Sequence, residues 1–194
     1  MSAEHPAEPE RDRQQRILDA VLSLLARRGI GGVSMRSVAK EAGVSLGLLN
    51  YYYEDKVGLI RAALHRIEAD DIELLAPDPA LPPEKRLRAA LHRVVEPEFL
   101  TTDYLSLRLQ LWSLAQARDD FAEINTAAQQ RYRGGLADLI KDARPELTRR
   151  ECNKRAADID VIQNGLWLTA LLGLDQASLR RSVARCEAIA FDDS

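Results

Sequence analysis

The sequence has little of what marks a membrane, secreted or metal-binding protein. Its 194 residues include two cysteines, Cys152 and Cys186, which are not arranged at metal-ligand spacing. We expect both to be reduced thiols in a cytoplasmic protein, with a disulfide between them as the less favoured alternative. No apolar run approaches the roughly 18 residues of a membrane helix. Residues 1–10, MSAEHPAEPE, lack the apolar segment of a secretory signal and are predicted to form a disordered tail.

Catalytic and cofactor-binding motifs are absent too. None of the three histidines, His5, His65 and His92, has a cysteine or acid at metal-ligand spacing beside it. No serine lies in a nucleophile-elbow context. The glycines between residues 29 and 32 join two predicted helices and do not follow a strand, as a phosphate-binding loop would. The sequence therefore predicts no enzyme activity, no metal and no cofactor.

Charge is unevenly distributed along the chain. The segment 11–66 contains ten basic and five acidic side chains, a balance of +5. The whole chain carries −3, so the remainder carries −8. A basic segment joined to an acidic one indicates two functions on one chain, and the basic part has the charge expected of a nucleic-acid binder.

Apolar residues recur at helical spacing throughout, and no segment alternates as a strand would, so the predicted fold class is all-α. In the first helix the buried stripe is predicted to be Ile17, Val21, Leu24 and Leu25, and Gly29 to be its stop. The predicted helices span residues 11–28, 35–42, 46–52, 56–75, 84–99, 103–117, 121–143, 149–172 and 176–191.

The segment 77–83 contains four prolines in seven residues, which no helix interior tolerates. It divides the sequence into a predicted helix-turn-helix domain with its connecting helix, residues 11–75, and a second helical domain, residues 76–194.

Residues 35–54 have the pattern of a helix-turn-helix. Ser34 and Ser45 precede two short helices as N-caps. Ala39 is small enough for a close helix crossing, and Gly43 tolerates the positive φ of the turn. The apolar anchors of the inner faces are Val38, Ala42, Val44 and Leu49.

The second of these helices is predicted to be the recognition helix in the major groove. Asn50 has the chemistry to read a base edge, adenine best, while Leu46 and Leu48 can touch thymine methyl groups. Gly47 permits close approach of the backbone. Tyr51 and Lys56 suit phosphate contacts.

The run SMRSVAKEAGVSLGLLNYYYEDKVGLIRAAL resembles the N-terminal domain of the TetR family of bacterial repressors. The resemblance covers residues 14–64 and rests on glycine and serine flanking Val44, on the aromatic residues 51–53 and on Lys56 opening the next helix. It departs from the family at Asn50, where many members have tyrosine, and at Tyr53, usually phenylalanine. The segments GLLNYYY and 164–168 resemble the subgroup that includes the choline-responsive repressor BetI.

The resemblance implies that the DNA-contacting residues are Arg36, Leu46, Gly47, Leu48, Asn50, Tyr51 and Lys56. The hydroxyls of Ser34 and Ser45, which act first as caps, can also touch phosphate. Tyr52 and Tyr53 are interpreted as scaffold.

For the second domain the resemblance implies a helical ligand-binding and dimerising unit. The candidate ligand residues are its aromatic and neighbouring amide side chains: Phe99, Tyr104, Trp112, Gln116, Tyr132, Gln163, Asn164 and Trp167. A plain hydrophobic core explains the aromatic residues equally, and an aromatic cage would suit a cation. Two amphipathic stripes near the C-terminus are the candidate dimer interface: Ile159, Ile162, Leu166, Ala170, Leu179, Val183 and Cys186.

The function expected is a cytoplasmic bacterial repressor. It binds a palindromic double-stranded DNA operator as a homodimer, is released by a small-molecule effector and has no membrane partner. The alternative from another class is a protein-interaction module whose helix-turn-helix no longer binds DNA.

Overall fold

The computed structural model describes residues 10–173 and 175–192, and within these ranges the chain is helical, with no strand. The all-α prediction is confirmed. The helices are α1 (Glu10–Gly32), α2 (Met35–Ala42), α3 (Leu46–Tyr52), α4 (Lys56–Glu73), α5 (Pro83–Arg93), a short 3₁₀ helix (Pro97–Leu100), α6 (Thr102–Ala117), α7 (Asp119–Ala143), α8 (Arg149–Leu171) and α9 (Gln176–Phe191). The predicted tail, apart from Glu10, lies outside the described residues.

Contacts divide the chain into two compact units inside α4, Met1–Arg66 and Ile67–Ser194. The first unit contains α1, α2, α3 and the start of α4. The second contains the end of α4 and everything after it. The proline-rich segment 77–83 follows α4 and lies within the second unit.

The first unit is built on α1, and the predicted stripe of Ile17, Val21, Leu24 and Leu25 is fully buried. The backbone of α1 breaks at Gly29, which has φ 62° and ψ −172°. Glycine alone adopts this conformation readily, so Gly29 ends the regular part of the helix as predicted. One further irregular turn follows to Gly32.

The second unit has its core between α5, α6, α7, α8 and α9. Leu136 and Ile140 of α7 and Ile159 of α8 are completely buried there. The helices α6, α8 and α9 begin on side-chain caps, Thr101, Thr148 and Asp175. Such caps satisfy backbone N–H groups that have no partner within the helix, and they fix where each helix starts.

The prediction of one helix over residues 84–99 is wrong in its second half. Helix α5 ends at Arg93, a turn follows, and Pro97 opens the 3₁₀ helix. A proline removes a backbone donor and clashes with the preceding turn, so it is accommodated at the first position of a helix and not inside one.

Candidate DNA-binding surface and internal cavity

The two short helices α2 and α3 begin on serine caps. Ser34 Oγ accepts from the backbone N–H of Ser37 at 3.1 Å, and Ser37 Oγ accepts from that of Ser34 at 2.8 Å. Ser45 Oγ accepts from the N–H of Leu48 at 3.1 Å. Both predicted caps are therefore present. Helices of eight and seven residues make few internal hydrogen bonds, so such caps contribute much of their local stability.

The turn between these helices is made by Gly43, which lies in the left-handed region with φ 66° and ψ 32°. Val38, Ala39, Ala42 and Leu49 are buried on the inner faces, as the pattern predicts. Val44 is only half-buried. The turn and these anchors hold α3 at a fixed orientation on α2.

Two glycines of this motif are expected to respond differently to alanine. Nothing lies within 4 Å of a Cβ added to Gly43, so the cost of Gly43→Ala comes from its positive φ alone, about 1–2 kcal/mol. Gly47 has no positive φ and an open Cβ position, so Gly47→Ala is expected to leave stability unchanged or slightly raised, while weakening DNA binding. Urea denaturation and DNA titration of both variants check this. Equal stability losses would contradict it.

The outward side of α3 presents a set of exposed residues, which we call the recognition face: Leu46, Gly47, Asn50 and Tyr51. Tyr51 is 76% exposed and Leu46 is 38% exposed. The ring of Tyr51 packs edge-on against Tyr52, with centroids 5.3 Å apart. Leu48 is half-buried. Large apolar side chains left in solvent together on one short helix indicate a binding surface.

Other predicted contact residues surround α3. Arg36 of α2, like Ser34 and Ser45, is exposed. Lys56, half-buried at the start of α4, donates from Nζ to the carbonyl oxygen of Ile30 at 2.7 Å. This contact connects α4 to the end of α1, and no sequence pattern predicts it. An ammonium group has three donors, so two remain for other partners.

Tyr52 and Tyr53 are half-buried, in keeping with a scaffold role, and burial raises the pKa of Tyr53.

A cavity lies within the second unit among α4, α6, α7 and α8. The space between its walls is about 390 Å³ when the open solvent at its mouth is included. The lining residues are Asp71, Arg108, Trp112, Asn125, Ala128, Gln129, Tyr132, Asp160, Asn164 and Trp167.

Four predicted ligand residues line this cavity: Trp112, Tyr132, Asn164 and Trp167. Three others pack behind it. The ring of Tyr104 lies 5.4 Å from that of Phe99 and 6.0 Å from that of Trp167, between centroids. Gln163 is buried, and its Oε1 accepts from the Tyr132 hydroxyl at 2.8 Å.

The eighth predicted ligand residue, Gln116, is exposed near the end of α6 and does not line the cavity. Its proximity in sequence to Trp112 suggested a shared site. Trp112 and Gln116 are four residues apart, so their side chains lie on a similar side of α6. Gln116 is one turn closer to the end of the helix than Trp112, and it lies outside the cavity.

The charged residues of the cavity were missed by the sequence analysis. Arg108 Nη1 donates to both oxygens of Asp71, at 2.5 and 2.6 Å, and the Tyr104 hydroxyl donates to the same carboxylate at 3.3 Å. The guanidinium carbon of Arg108 lies 4.3 Å from the ring centre of Trp167 and 6.0 Å from that of Trp112. Arg108 therefore occupies the aromatic faces itself.

The second acid, Asp160 of α8, is 4% exposed. It accepts from Arg133 Nε at 2.6 Å and from Asn164 Nδ2 at 3.0 Å. Its spacing of four residues from Asn164 was the one available sequence signal, since such residues share a helix face.

Burial and these charges shift the pKa values of three side chains at the cavity. Burial opposes the charge of Arg108, but Asp71 beside it raises the guanidinium pKa above its ordinary value. Burial and the neighbouring carboxylates raise the pKa of Tyr132, and burial raises that of Tyr104. Both phenols are therefore neutral hydrogen-bond donors at physiological pH.

Most residues of the two predicted dimer stripes are buried within this chain and not exposed on its surface. Ile159, Leu166, Leu179, Val183 and Cys186 are buried inside the chain's own core, and Ile162 and Ala170 are partly buried against it. The five buried residues are thus not on the surface, whereas Ile162 and Ala170 remain partly exposed, and the dimer interface itself stays a prediction. Helical periodicity shows that a face is apolar but not whether its partner is the same chain. The burial of Cys186 raises its pKa to about 12, which leaves it an unreactive thiol.

The exposed apolar residues of α8 lie on its other side. Val161 is 66% exposed, Leu168 is 41% exposed and Leu172, just beyond the helix end, is 79% exposed. With Gly165 they follow the helical repeat, and we call this set the outer stripe of α8.

The described part of the chain contains no group of three or more His, Cys, Asp or Glu side chains arranged to hold a metal ion. None of its helices combines the length and the apolar character that crossing a membrane requires.

Comparison with known protein families gives two matches. Residues 17–63 match the model of bacterial regulatory proteins of the tetR family, and residues 83–190 match that of the C-terminal part of BetI-type transcriptional repressors. The second match covers more than half of the chain. The chain therefore belongs to the TetR family of bacterial transcriptional regulators, in its BetI-type branch.

Individual relatives agree with this. The HTH-type transcriptional regulator BetI of Escherichia coli O127:H6 is 24% identical over 164 residues, which cover 82% of this chain and 83% of the relative. The BetI protein of Cronobacter sakazakii is 27% identical over 82% of this chain and 80% of its own length.

Solved structures share the fold. A protein described as a transcriptional regulator from Pseudomonas aeruginosa PAO1 has a TM-score of 0.81 at 24% identity, over 96% of this chain and 92% of its own. Another, from Saccharomonospora viridis and solved in complex with choline, has a TM-score of 0.75 at 20% identity, over 92% and 95%.

Proposed function

We propose that this chain is a repressor that binds a palindromic DNA operator as a homodimer and is released by a small-molecule effector. The observation that carries the proposal is the recognition face of α3. It holds Tyr51 and Leu46 in solvent on a helix that is capped, anchored and fixed by the Gly43 turn. Exposed apolar side chains on one helix support a binding role for that helix. In a helix-turn-helix the second helix, here α3, is the one that enters the major groove.

In this proposal α3 enters the major groove. Asn50 reads a base edge, Leu46 and Leu48 contact thymine methyl groups, and Gly47 lets the backbone come close. The phosphate contacts are assigned to Tyr51, Lys56, Arg36 and the cap hydroxyls Ser34 and Ser45. The +5 charge of residues 11–66 favours this role over that of a module that contacts only protein.

Dimerisation is assigned to the outer stripe of α8, which the chain itself does not cover. A two-fold axis beside this stripe would pair it with its own copy. A dimer places two copies of α3 in successive major grooves, about 34–36 Å apart on the operator.

The effector site is assigned to the cavity of the second unit. Its combination of indole rings, amide groups and a few buried charges is typical of small-molecule sites. The complex of the Saccharomonospora viridis protein with choline supports a ligand of similar size for this fold. Release from DNA requires that the effector bind the DNA-incompetent conformation more tightly.

Two substitutions on the DNA surface test the proposal. Asn50→Ala is expected to cost about 1–3 kcal/mol on the operator and to relax the preference at one base pair, because it removes a base contact. Lys56→Ala is expected to weaken binding to all sequences alike. Fluorescence anisotropy with operator and mutated operators separates the two effects.

Asn153→Ala is the matched control for Asn50→Ala, because Asn153 is an exposed asparagine on α8. It is expected to leave DNA binding unchanged. If Asn50→Ala and Lys56→Ala both behaved like this control, α3 would not be the reading helix and the protein-interaction alternative would be favoured.

A further inference from the structure

The segment 29–33, which we call the α1–α2 connection, is rich in glycine. Three of its five residues are glycine, the residue with the most backbone freedom to lose on folding. Ile30 is 38% exposed, so its side chain gives the connection little anchoring. The connection leads into the first turn of α2, where Ser34 and Arg36 are assigned to DNA phosphates. Contacts from neighbouring elements are therefore needed to fix its position.

The last residues of the α1–α2 connection are joined to α2. Val33 is 1% exposed, and the Ser37 hydroxyl donates to the carbonyl oxygen of Gly32 at 3.0 Å. The same hydroxyl accepts from the backbone N–H of Ser34 at 2.8 Å. The first turn of α2 is thus bonded to the connection, so that a displacement of the connection also displaces Ser34 and Arg36.

The first residues of the α1–α2 connection are held from α4. Lys56 Nζ donates to the carbonyl oxygen of Ile30 at 2.7 Å, across 26 positions of sequence. A charged donor makes a stronger hydrogen bond than a neutral one. The first turn of α4 is itself fixed, because Asp55 Oδ1 accepts from the N–H of Gly58 at 2.7 Å as an N-cap does. The bond therefore joins a fixed helix start to a glycine-rich segment.

We propose that Lys56 is a positioning residue for the first turn of α2, in addition to the phosphate contact assigned to it. Through the carbonyl of Ile30 it sets where Ser34 and Arg36 meet the DNA backbone. Two donors of the ammonium group remain for phosphate, so the two roles are compatible. This rests on the proposed function, since it makes one DNA contact depend on another. Removing the Lys56 ammonium group therefore weakens more than one phosphate contact.

Amide hydrogen exchange of the full chain without DNA tests the contact itself. Lys56→Met removes the donor and keeps an apolar side chain, and it is expected to speed exchange in residues 29–37 about twofold to tenfold, as loss of one hydrogen bond does. Exchange in α7 should not change. Lys85→Met is the matched control, because Lys85 is an exposed lysine in the first turn of α5. Equal exchange of residues 29–37 in the two variants would overturn the proposal.

Operator titration at several salt concentrations tests the positioning role. Loss of one phosphate contact changes the salt slope by about 0.9. Lys56→Met is expected to change it by about 1.8, because Arg36 loses its phosphate together with Lys56. In a chain that already carries Arg36→Ala, Lys56→Met should change the slope by only about 0.9. The same change of about 0.9 in both backgrounds would show two independent phosphate contacts and overturn the proposal.

The affinities in the same titrations give a second measure. Lys56→Met and Arg36→Ala together are expected to cost at least about threefold less than the product of their single losses, because the two residues are coupled. Lys56→Met and Asn50→Ala should multiply to within about twofold, because Asn50 lies on α3 beyond the Gly43 turn. A loss of stability alone would affect both pairs alike, so equal coupling in the two pairs would contradict a positioning role.

The outcomes separate this proposal from the proposed function. Lys56→Ala, which also lacks the donor, replaces Lys56→Met if that variant does not fold. Specific operator binding with independent losses at Lys56 and Arg36 would refute the positioning role alone. No specific binding by the unsubstituted chain would refute the proposed function, whereas hydrogen exchange without DNA still decides whether Lys56 holds the α1–α2 connection.

Discussion

Replacing Asp71 with alanine is expected to destabilise the second unit by about 3–5 kcal/mol, because it leaves the buried guanidinium of Arg108 without its counter-charge. The side chains of this pair are 18% and 13% exposed, so solvent compensates little of the loss. The Tyr104 hydroxyl also loses its acceptor. Urea denaturation followed by circular dichroism measures the effect.

Asp142→Ala provides the control for this substitution. Asp142 also pairs with an arginine, Arg86, but its side chain is 56% exposed. Removing it is expected to cost less than about 1 kcal/mol, as is usual for surface ion pairs. The double variant Asp71→Asn with Arg108→Met should cost less than the sum of its single changes, because the two residues interact directly. Equal losses for Asp71→Ala and Asp142→Ala would show that the Arg108–Asp71 pair is not a buried one.

Placing two negative charges on the outer stripe of α8 is expected to have the largest effect on DNA binding. Val161→Glu with Leu168→Glu puts carboxylates on an exposed apolar surface, so the fold should tolerate them. In a dimer they would face their own copies, and desolvation and like-charge repulsion would oppose association. Sedimentation is expected to show a dimer for the unsubstituted chain and a monomer for the double variant.

Loss of the dimer should weaken operator binding by about a hundredfold or more, because the second half-site is no longer bound intramolecularly. Leu109→Glu is the control, since Leu109 of α6 is also an exposed leucine, 42% in solvent, but lies outside the stripe. A double variant that remained dimeric would place the interface elsewhere.

The DNA-binding motif was predictable because its determinants are local. Ser34, Gly43 and Ser45 act on backbone within a few residues of themselves, and caps and turns depend on such short-range geometry. The buried anchors Val38 and Leu49 follow from helical periodicity. The two caps, the turn and these two anchors could therefore be predicted from the sequence, and the structure contains all of them.

The cavity was only half predictable because its charged residues come from distant parts of the chain. Arg108 and Asp71 are separated by 37 positions and by the proline-rich segment, which led Asp71 to be assigned to the other domain. The aromatic residues stood out because the chain has few. Which of them faced a cavity and which packed behind it depended on tertiary contacts.

The α8 stripes illustrate a different limit. Helix α8 has apolar residues on two sides, of which one is buried in the core of the second unit and the other is exposed. Periodicity identified Ile159 and Leu166, which fill the core, whereas Val161 and Leu168 remain exposed. Only the packing of α8 against its neighbours separates the two.

Anisotropy titration at several salt concentrations shows most directly whether this chain reads an operator through α3. The labelled DNA is the region upstream of the chain's own gene, and the competitor is the same DNA with its sequence shuffled. Binding to the specific DNA is expected to be at least about a thousandfold tighter. The affinity is expected to fall steeply with salt, with a slope of about −0.9 for each phosphate neutralised. Equal affinity for upstream and shuffled DNA at moderate salt would contradict a reading role for α3.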